Sequence, residues 1–516
     1  MTTKKIVLAT VNARYSHTSL ALRCLLANLG EFQARTTLLE FTLQERPSDM
    51  LERVLECDPD VVGLSVSVWN VAQTSVLATM LKAVRPRIVL VVGGPEVWFE
   101  QEDLDVCRVA DHIVVGEGEV AFHDLVAGLE SGAQPPRIIQ ASPLRLDQVR
   151  LPCDLYTDAD LRHRLIYVET SRGCPYRCAF CLSSVEPRVR WFPSGPVLDA
   201  VARLMDRGAS SLKFVDRTMN VNPKRFVALL DRCLAHHQAG SALHFEVVPV
   251  PLPDPVLERL ARFPPGAVQL EVGIQTFTPA VAAEVSRNLN PDRIERFLSE
   301  VRARTGVHLH TDLIFGLPGE TLETFAHGFD RLLSLEPHEV QVGILKRLRG
   351  TPLTRRPSAR SLRFNPNAPY EVLETDRVPF EEMQRVKRFA RYFDLYYNSG
   401  EFVASMTVLL GRGGVGSFER FMAFSDWLFD QTGRTHGLAL VRRHRLLFAY
   451  LTEVLDHPPR RVAEALQEDY DRHIVRRERL EFLRPYLGSV APRRVLEPGL
   501  GVRTSRGRGR ARTRST

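Results

Sequence analysis

Ile166-Tyr167-Val168-Glu169-Thr170-Ser171-Arg172-Gly173-Cys174-Pro175-Tyr176-Arg177-Cys178-Ala179-Phe180-Cys181 runs from an apolar, strand-like segment through a glycine breaker into three cysteines. C-x3-C-x2-C spacing on a loop after a strand lets three thiolates converge on one face of a cubane. Iron–sulfur clusters are usually held by four cysteines, so three leave one iron open to a chelating small molecule. A zinc knuckle is the competing reading. It needs four ligands in paired C-x2-C or Cys/His sets, and no second pair or nearby His completes one here.

Downstream, strand and helix alternate six times between 164 and 350. The strand runs after Ile166 to Thr170 are Leu212 to Asp216, His244 to Val248, Val268 to Val272, Leu309 to Ile314 and Val340 to Ile344. In α/β barrels the active groups gather at strand C-terminal ends, and polar residues collect there in this chain. They are Asp216-Arg217-Thr218, then Glu246, then Glu271-Val272-Gly273-Ile274-Gln275, then Asp312 ahead of Phe315-Gly316-Leu317-Pro318-Gly319-Glu320. Each carboxylate taken alone reads as a salt-bridge or capping group. Their recurrence at successive strand ends is what points to a site.

The cysteine run, with Phe180 before its third Cys, resembles the cluster loop of the radical SAM superfamily. That resemblance implies that Cys174, Cys178 and Cys181 hold a 4Fe-4S cluster whose open iron takes the amino and carboxylate groups of S-adenosylmethionine. It further implies an external one-electron reductant, cleavage to a 5′-deoxyadenosyl radical, and a partial six-stranded (β/α)6 TIM-like barrel. Asp216 and Thr218 fall where the superfamily touches the amino group of S-adenosylmethionine, and Glu246 where a carboxylate can reach ribose hydroxyls. Gln275 with Glu271 resembles the Gly-x-Gln element of cobalamin-type members. Phe180 would contribute backbone contacts to adenine, with simple packing as the alternative.

Upstream, residues 1–135 alternate strand and helix five times, with strand runs at Ile6 to Val11, Thr37 to Phe41, Val61 to Val66, Ile88 to Val92 and His112 to Val115. Continuous apolar strands between amphipathic helices predict a Rossmann/flavodoxin-like doubly wound parallel sheet, with ligands beyond the strand C-termini. Those ends carry Asn12-Ala13-Arg14-Tyr15-Ser16-His17, Ser65-Val66-Ser67, Gly93-Gly94-Pro95-Glu96 and Gly116-Glu117-Gly118-Glu119. Small residues there let a large planar ligand approach the backbone. The pattern resembles the cobalamin-binding domain that precedes many radical SAM domains, which assigns Asn12, Ser65, Ser67, Gly93, Gly94, Gly116 and Glu117 to the cofactor. Another ligand, or none, is the alternative. The D-x-H-x-x-G motif that supplies cobalt with a protein His is absent, because Asn12-Ala13-Arg14 stands there; His17 is not assigned as the lower ligand.

Residues 136–163 read as a linker with breakers at Pro136, Pro143 and Pro152. Residues 351–490 read as a mostly helical domain whose stripe of Met383, Val386, Phe389, Tyr392, Phe393 and Tyr396 is core. Residues 491–516 read as a disordered basic tail. The glycine run from Gly411 to Gly416 lacks the strand and Lys-Ser/Thr of a phosphate loop. The formal net charge is +7, but residues 501–516 hold six Arg and no acid, so the body carries only +1. The tail is read as a solvated extension, with counterion-release contact to nucleic acid as the alternative. No apolar run is long enough to span a membrane, no signal peptide is read at the start, and the five remaining cysteines are scattered, so a cytoplasmic protein is expected.

The order of regions resembles a family of cobalamin-binding-domain radical SAM proteins with a C-terminal helical domain of unknown function. The resemblance implies an enzyme transferring methyl from cobalamin to an unactivated carbon of an organic substrate that the sequence leaves open. The alternatives are a cobalamin-assisted rearrangement or cyclisation, a methylthiotransferase using Cys24, Cys57 and Cys107 for a second cluster, and a non-catalytic corrinoid or S-adenosylmethionine sensor.

Overall fold

In the computed structural model, residues 4–288, 290–356, 361–411, 416–472 and 480–487 are described. The expected basic tail and residues 412–415 of the glycine run lie outside them.

The first sheet comprises β1 (Ile6–Asn12), β2 (Thr36–Thr42), β3 (Val61–Ser65), β4 (Val89–Gly93), β5 (His112–Val115) and β6 (Ile138–Gln140). Their spatial order is β2-β1-β3-β4-β5-β6, and every pairing is parallel. β1 is buried from end to end because helices cover both faces of the sheet. Val7, Ala9 and Val11 enter one apolar core; Ile6 and Leu8, pointing the other way, enter a second. The chain order reverses between β2-β1 and β3, which puts the ligand crevice of such a sheet beyond the C-termini of β1 and β3. β6 comes from the segment expected to be a linker, and so does the helix Asp158–His163.

The second sheet starts with β7 (Ile166–Val168). A short antiparallel pair follows, β8 (Ser171–Arg172) with β9 (Arg190–Trp191), and the cysteine run lies between these two. β10 (Ser211–Phe214), β11 (Ala242–Val247), β12 (Val268–Gln275), β13 (His308–Phe315) and β14 (Glu339–Ile344) complete an all-parallel row, β14-β13-β12-β11-β10-β7, whose two edges do not pair with each other. Lys213 on β10 meets Glu271 on β12 at 2.9 Å, past the intervening β11, a reach that the concave face of a curled sheet allows. Phe245, Leu270, Val272 and Leu309 are fully buried on the opposite, helix-covered face.

The expected aromatic stripe lies on the helix Phe380–Tyr396, and all six of its residues are buried. Phe389 and Phe393 pack against Phe329 of the barrel helix Leu322–Ser334 and against Phe421 of the helix Ser417–Thr432. One continuous apolar core therefore runs from Cys153 through the second sheet to Leu483. Among the described residues no helix is long and apolar enough to cross a membrane.

Candidate cluster loop and strand-end site

The cysteine loop is held at both ends by backbone. Gly173 has φ +91° and a Cβ there would stand 2.2 Å from the Arg188 carbonyl, so the turn requires glycine. Cys174 N–H donates to Glu186 O, Ala179 N–H to Val285 O, and Leu353 N–H to Ala179 O. All three thiols are free, with Cys174 and Cys178 buried and Cys181 half-buried. Burial pushes the Cys174 thiol up, and nearby Cys181 and Cys178 push it further. Among the described residues no trio of His, Cys, Asp and Glu closes around a single metal ion. A zinc site needs that closure, whereas a cubane takes each thiolate on a separate iron.

Two arginines flank the loop, and sequence reasoning passed over both as site residues. Arg287 Nη1 donates to Cys178 Sγ at 3.5 Å and its other amino group to Gly273 O. Arg217 faces Glu246 at 3.5 Å, and that carboxylate is the largest cause raising its pKa. A positive charge after a strand end near a thiol loop is the only signal the sequence offered.

The strand-end residues divide into two groups. Glu246, Glu271 and Asp312 line the concave face with Lys213, His244, His310 and Glu339. Glu271 accepts from Lys213 at 2.9 Å and from His244 Nε2 at 2.6 Å. Burial pushes its carboxyl up, but His244, Lys213 and His310 outweigh that and hold it below the usual carboxylate range. His310 bridges Glu339 at 2.9 Å and Asp312 at 3.2 Å, and His308 reaches the other Glu339 oxygen at 3.0 Å. Burial alone would lower His310; the two carboxylates raise it to about 10. Burial raises Asp312 and Glu246. Gln275 ends β12 at φ +74°, beside a register shift, with its buried Oε1 unpartnered. Thr218 is buried and Phe180 packs against the main core.

Asp216 and Glu117 are occupied otherwise. Asp216 accepts from Thr170 N–H at 3.0 Å, from the Thr170 hydroxyl at 2.7 Å and from the Ser171 hydroxyl, so it anchors the exit of β7. Glu117 is bound by Arg190, by Arg172 at 3.5 Å and by Leu144 N–H at 2.8 Å.

At the ends of the first sheet, Asn12 donates to His17 O at 3.0 Å and to Glu40 at 3.1 Å. His17 docks on the second sheet, its Nδ1 2.7 Å from Tyr167 OH, and burial lowers its pKa. Gly94 has φ +108° and no room for a Cβ, which would lie 2.5 Å from Val66 O; Gly116, at φ +97°, is pressed against Ala141 O at 3.1 Å. Their glycine requirement is met by neighbouring backbone. Gly93 is open enough for an ordinary contact. Ser65 and Ser67 flank Val66, with Asn70 tying Ser65 O at 3.2 Å and Ser67 N–H at 2.8 Å. Trp69 and Tyr15, 54% and 65% exposed, stand beside these ends. Cys24, Cys57 and Cys107 sit on three different helices or caps; the Cys24 thiol faces Glu169 at 3.6 Å, and Cys107 is buried in the core of the opposite sheet face.

Comparison with known proteins gives three family models in register with this architecture. The B12 binding domain matches residues 6–126, the radical SAM superfamily residues 168–332, and a protein family of unknown function, DUF4080, residues 361–487. An uncharacterized methyltransferase of Pyrococcus horikoshii is 26% identical over 305 residues, 54% of this chain and 64% of its own. The cobalamin-dependent radical SAM methyltransferase TokK of Streptomyces tokunonensis is 26% identical over 338 residues, 58% of this chain and 48% of its own. This chain thus spans between about half and just under two thirds of these curated relatives. The solved structure of the cobalamin-dependent S-adenosylmethionine radical enzyme OxsB superposes with a TM-score of 0.60 over 91% of this chain and 79% of that one, at 12% identity. At that identity the likeness is one of fold. The B12 binding, radical SAM and DUF4080 models follow one another along the chain, and that order matches the domain organisation of the cobalamin-binding radical SAM proteins.

Proposed function

We propose that this protein is a radical SAM enzyme that transfers a methyl group to an unactivated carbon with the help of cobalamin. The observation that carries the reading is the loop Cys174–Cys181, three free thiols gathered at the strand C-terminal mouth of the second sheet. Cys174, Cys178 and Cys181 would hold a 4Fe-4S cluster; their number fits one open iron, and their spread fits separate irons. Bound there with S-adenosylmethionine and cobalamin, these groups supply a substrate radical and a methyl donor, chemistry that belongs to the cofactors.

The chain's own residues bind, orient and exclude water. Glu246, Asp312 and Gln275 present acceptors at the mouth where the amino and ribose groups of S-adenosylmethionine would lie, and the Gln275 orphan Oε1 fits a ribose hydroxyl. Glu271, spent on Lys213 and His244, holds charge below them. Thr218 and Phe180 close the sides. Asp216 serves by fixing the strand that feeds the cysteine loop. In the first domain, Asn12, Ser65, Ser67, Gly93, Gly94 and Gly116 border the crevice at the switch point, a position suited to a corrinoid. Glu117 joins the domains instead of facing that crevice. Cys24 turns its thiol to Glu169 while Cys107 is buried in the core on the other face of the first sheet, so Cys24, Cys57 and Cys107 lend no support to a second cluster and hence to methylthiotransfer.

The test is anaerobic reconstitution with iron, sulfide and hydroxocobalamin, then desalting. About four irons and one corrinoid per chain are expected, with reductant-dependent formation of 5′-deoxyadenosine that Cys178→Ala abolishes. About eight irons would favour methylthiotransfer. Corrinoid without a cleavage product would favour a sensor, and a cluster without corrinoid would remove cobalamin from the reading.

A further inference from the structure

The Gly-Glu-Gly-Glu end of β5 meets the cysteine loop through one arginine. Arg172, two residues before Cys174, donates to Glu119 at 2.5 Å and to Glu169 at 2.6 Å, with Glu117 at 3.5 Å. Its register partner across the short β8/β9 pair, Arg190, binds Glu117, Glu186 at 2.6 Å and Leu144 O at 2.6 Å. Glu186 in turn receives the Cys174 N–H on its carbonyl. Glu119 is 4% exposed, and Arg172 lies over Phe192, 5.5 Å from the ring. Two arginines and four carboxylates from two domains thus form one network, buried around Arg172 and more open at Glu186, and its centre is separated from the first cysteine of the loop by Gly173 alone.

We propose that Glu119 and Glu117 of the first domain are positioning residues for the cluster loop, acting through Arg172 and Arg190, so that the corrinoid-type domain seats the cluster. The inference rests on the proposed function for the identity of the cluster, and on the network alone for the coupling. Partners bonded directly to metal ligands typically change metal affinity 10- to 100-fold when removed; Glu119 acts one link further out, through Arg172, so the lower end of that range is expected. Glu119→Gln keeps the shape of the side chain and deletes one charge, 53 residues from Arg172.

The experiment compares wild type, Glu119→Gln, Glu119→Asp and Leu125→Ala as full chains. Leu125 is buried on the same helix, Gly118–Glu130, and lies outside the network, so its truncation loosens the first domain without touching the clamp. In reconstituted protein, Glu119→Gln is expected to lose iron to a chelator about tenfold faster and to alter the electron paramagnetic resonance line shape of the reduced cluster. Glu119→Asp should recover part of both, and Leu125→Ala should lower the melting temperature while leaving both at wild-type values. In the apo chain, Cys174 and Cys178 should react faster with an alkylating reagent in Glu119→Gln than in Leu125→Ala. Unchanged iron loss, line shape and alkylation in Glu119→Gln would overturn the proposal, as would an equal effect of Leu125→Ala. A wild type that binds no iron would sink the proposed function instead, and the alkylation rates would still decide the clamp.

Discussion

β1 is buried along its whole length, Ile6 to Asn12, whereas β11 alternates, with His244 and Glu246 set between Leu243, Phe245 and Val247. Both belong to all-parallel sheets made by strand–helix alternation. In the first sheet helices lie on both faces, so every side chain of the inner strand β1 is buried, and its polar residues Thr10 and Asn12 fall at its C-terminal end. The curled sheet turns one set of alternating side chains to its concave face. Here that face is filled by Lys213, His244, Glu271, His310 and Glu339 rather than by aliphatic layers. Desolvation makes every one of these groups costly unless paired, and the pairs run in a chain from His308 up to Asp312 near the cysteine loop. The first sheet offers a crevice; the second offers a fixed electrostatic column under its mouth.

The sharpest break between the two is His310→Leu against Leu90→Ala on β4. Removing His310 leaves Glu339 and Asp312 without their shared partner, a loss of about 3–5 kcal/mol for a broken buried pair. Leu90→Ala, at a fully buried site, costs about 2–5 kcal/mol as a cavity. The two differ in pH dependence. His310 stands at about 10 in the fold against about 6.5 unfolded. Its charge therefore stabilises fully below the lower value, and that contribution is lost as pH rises through the higher one. Hydrogen exchange of His308–Phe315 and of Val89–Gly93, read from pH 6 to 10, should show the gap between wild type and His310→Leu closing with pH. The Leu90→Ala gap should stay constant. Parallel gaps would mean that the column is ordinary packing.

A buried acid without a cationic partner sharpens the comparison from the other side. Glu320, after the Gly316 turn, receives Thr276 Oγ1 at 3.3 Å on one oxygen, while the other is unpartnered. Burial pushes its carboxyl up to about 8. Because the folded value lies above the unfolded one, stability falls as pH rises between them, by up to ~1.4 kcal/mol per pH unit. Glu320→Gln mimics the protonated acid. Its advantage over wild type should grow by about 3–4 kcal/mol between pH 5 and pH 8, measured as the melting midpoint against pH. A constant offset across that range would show that Glu320 is not protonated in the fold.

What the sequence revealed follows from range. The apolar runs that became β1, β3 and β4 are continuous, and the cysteine spacing is local, so both could be read directly. β6 was hidden because Ile138–Gln140 is three residues long, edge-placed and directly behind Pro135-Pro136. The C-terminal helices were read as a domain of their own, yet the stripe on Phe380–Tyr396 closes over barrel residues such as Phe329. The strand-end carboxylates could be located by position but not by partner. Asp216 and Glu271 look alike in sequence, and only the fold gives one to the Thr170 backbone and the other to Lys213, 58 residues away. Gly94 and Gly116 carried a glycine signal whose cause lay in Val66 and Ala141 backbone. Arg172 and Arg287 carried a charge but no partner in the sequence, since Glu119 lies 53 residues from Arg172 and Cys178 lies 109 from Arg287.

The same pairing chemistry outside the barrel sets the lower bound of the comparison. Arg302 meets Glu336 at 2.9 Å, a distance equal to that of His310 to Glu339, yet the two side chains are 40% and 72% exposed. Water screens the pair, and ordering two long side chains offsets the small Coulomb gain, so such contacts contribute about 0.2–1 kcal/mol. Arg302→Gln should therefore shift the midpoint of β13 exchange by no more than that, and 1 M salt, with a Debye length of about 3 Å, should remove the difference. The His310→Leu loss should persist in the same salt, because its carboxylates lie where no counterion replaces the imidazole. If salt erased both effects equally, the concave face would be as wet as the outer surface, and the column would have no claim to fix charge beneath the cysteine loop.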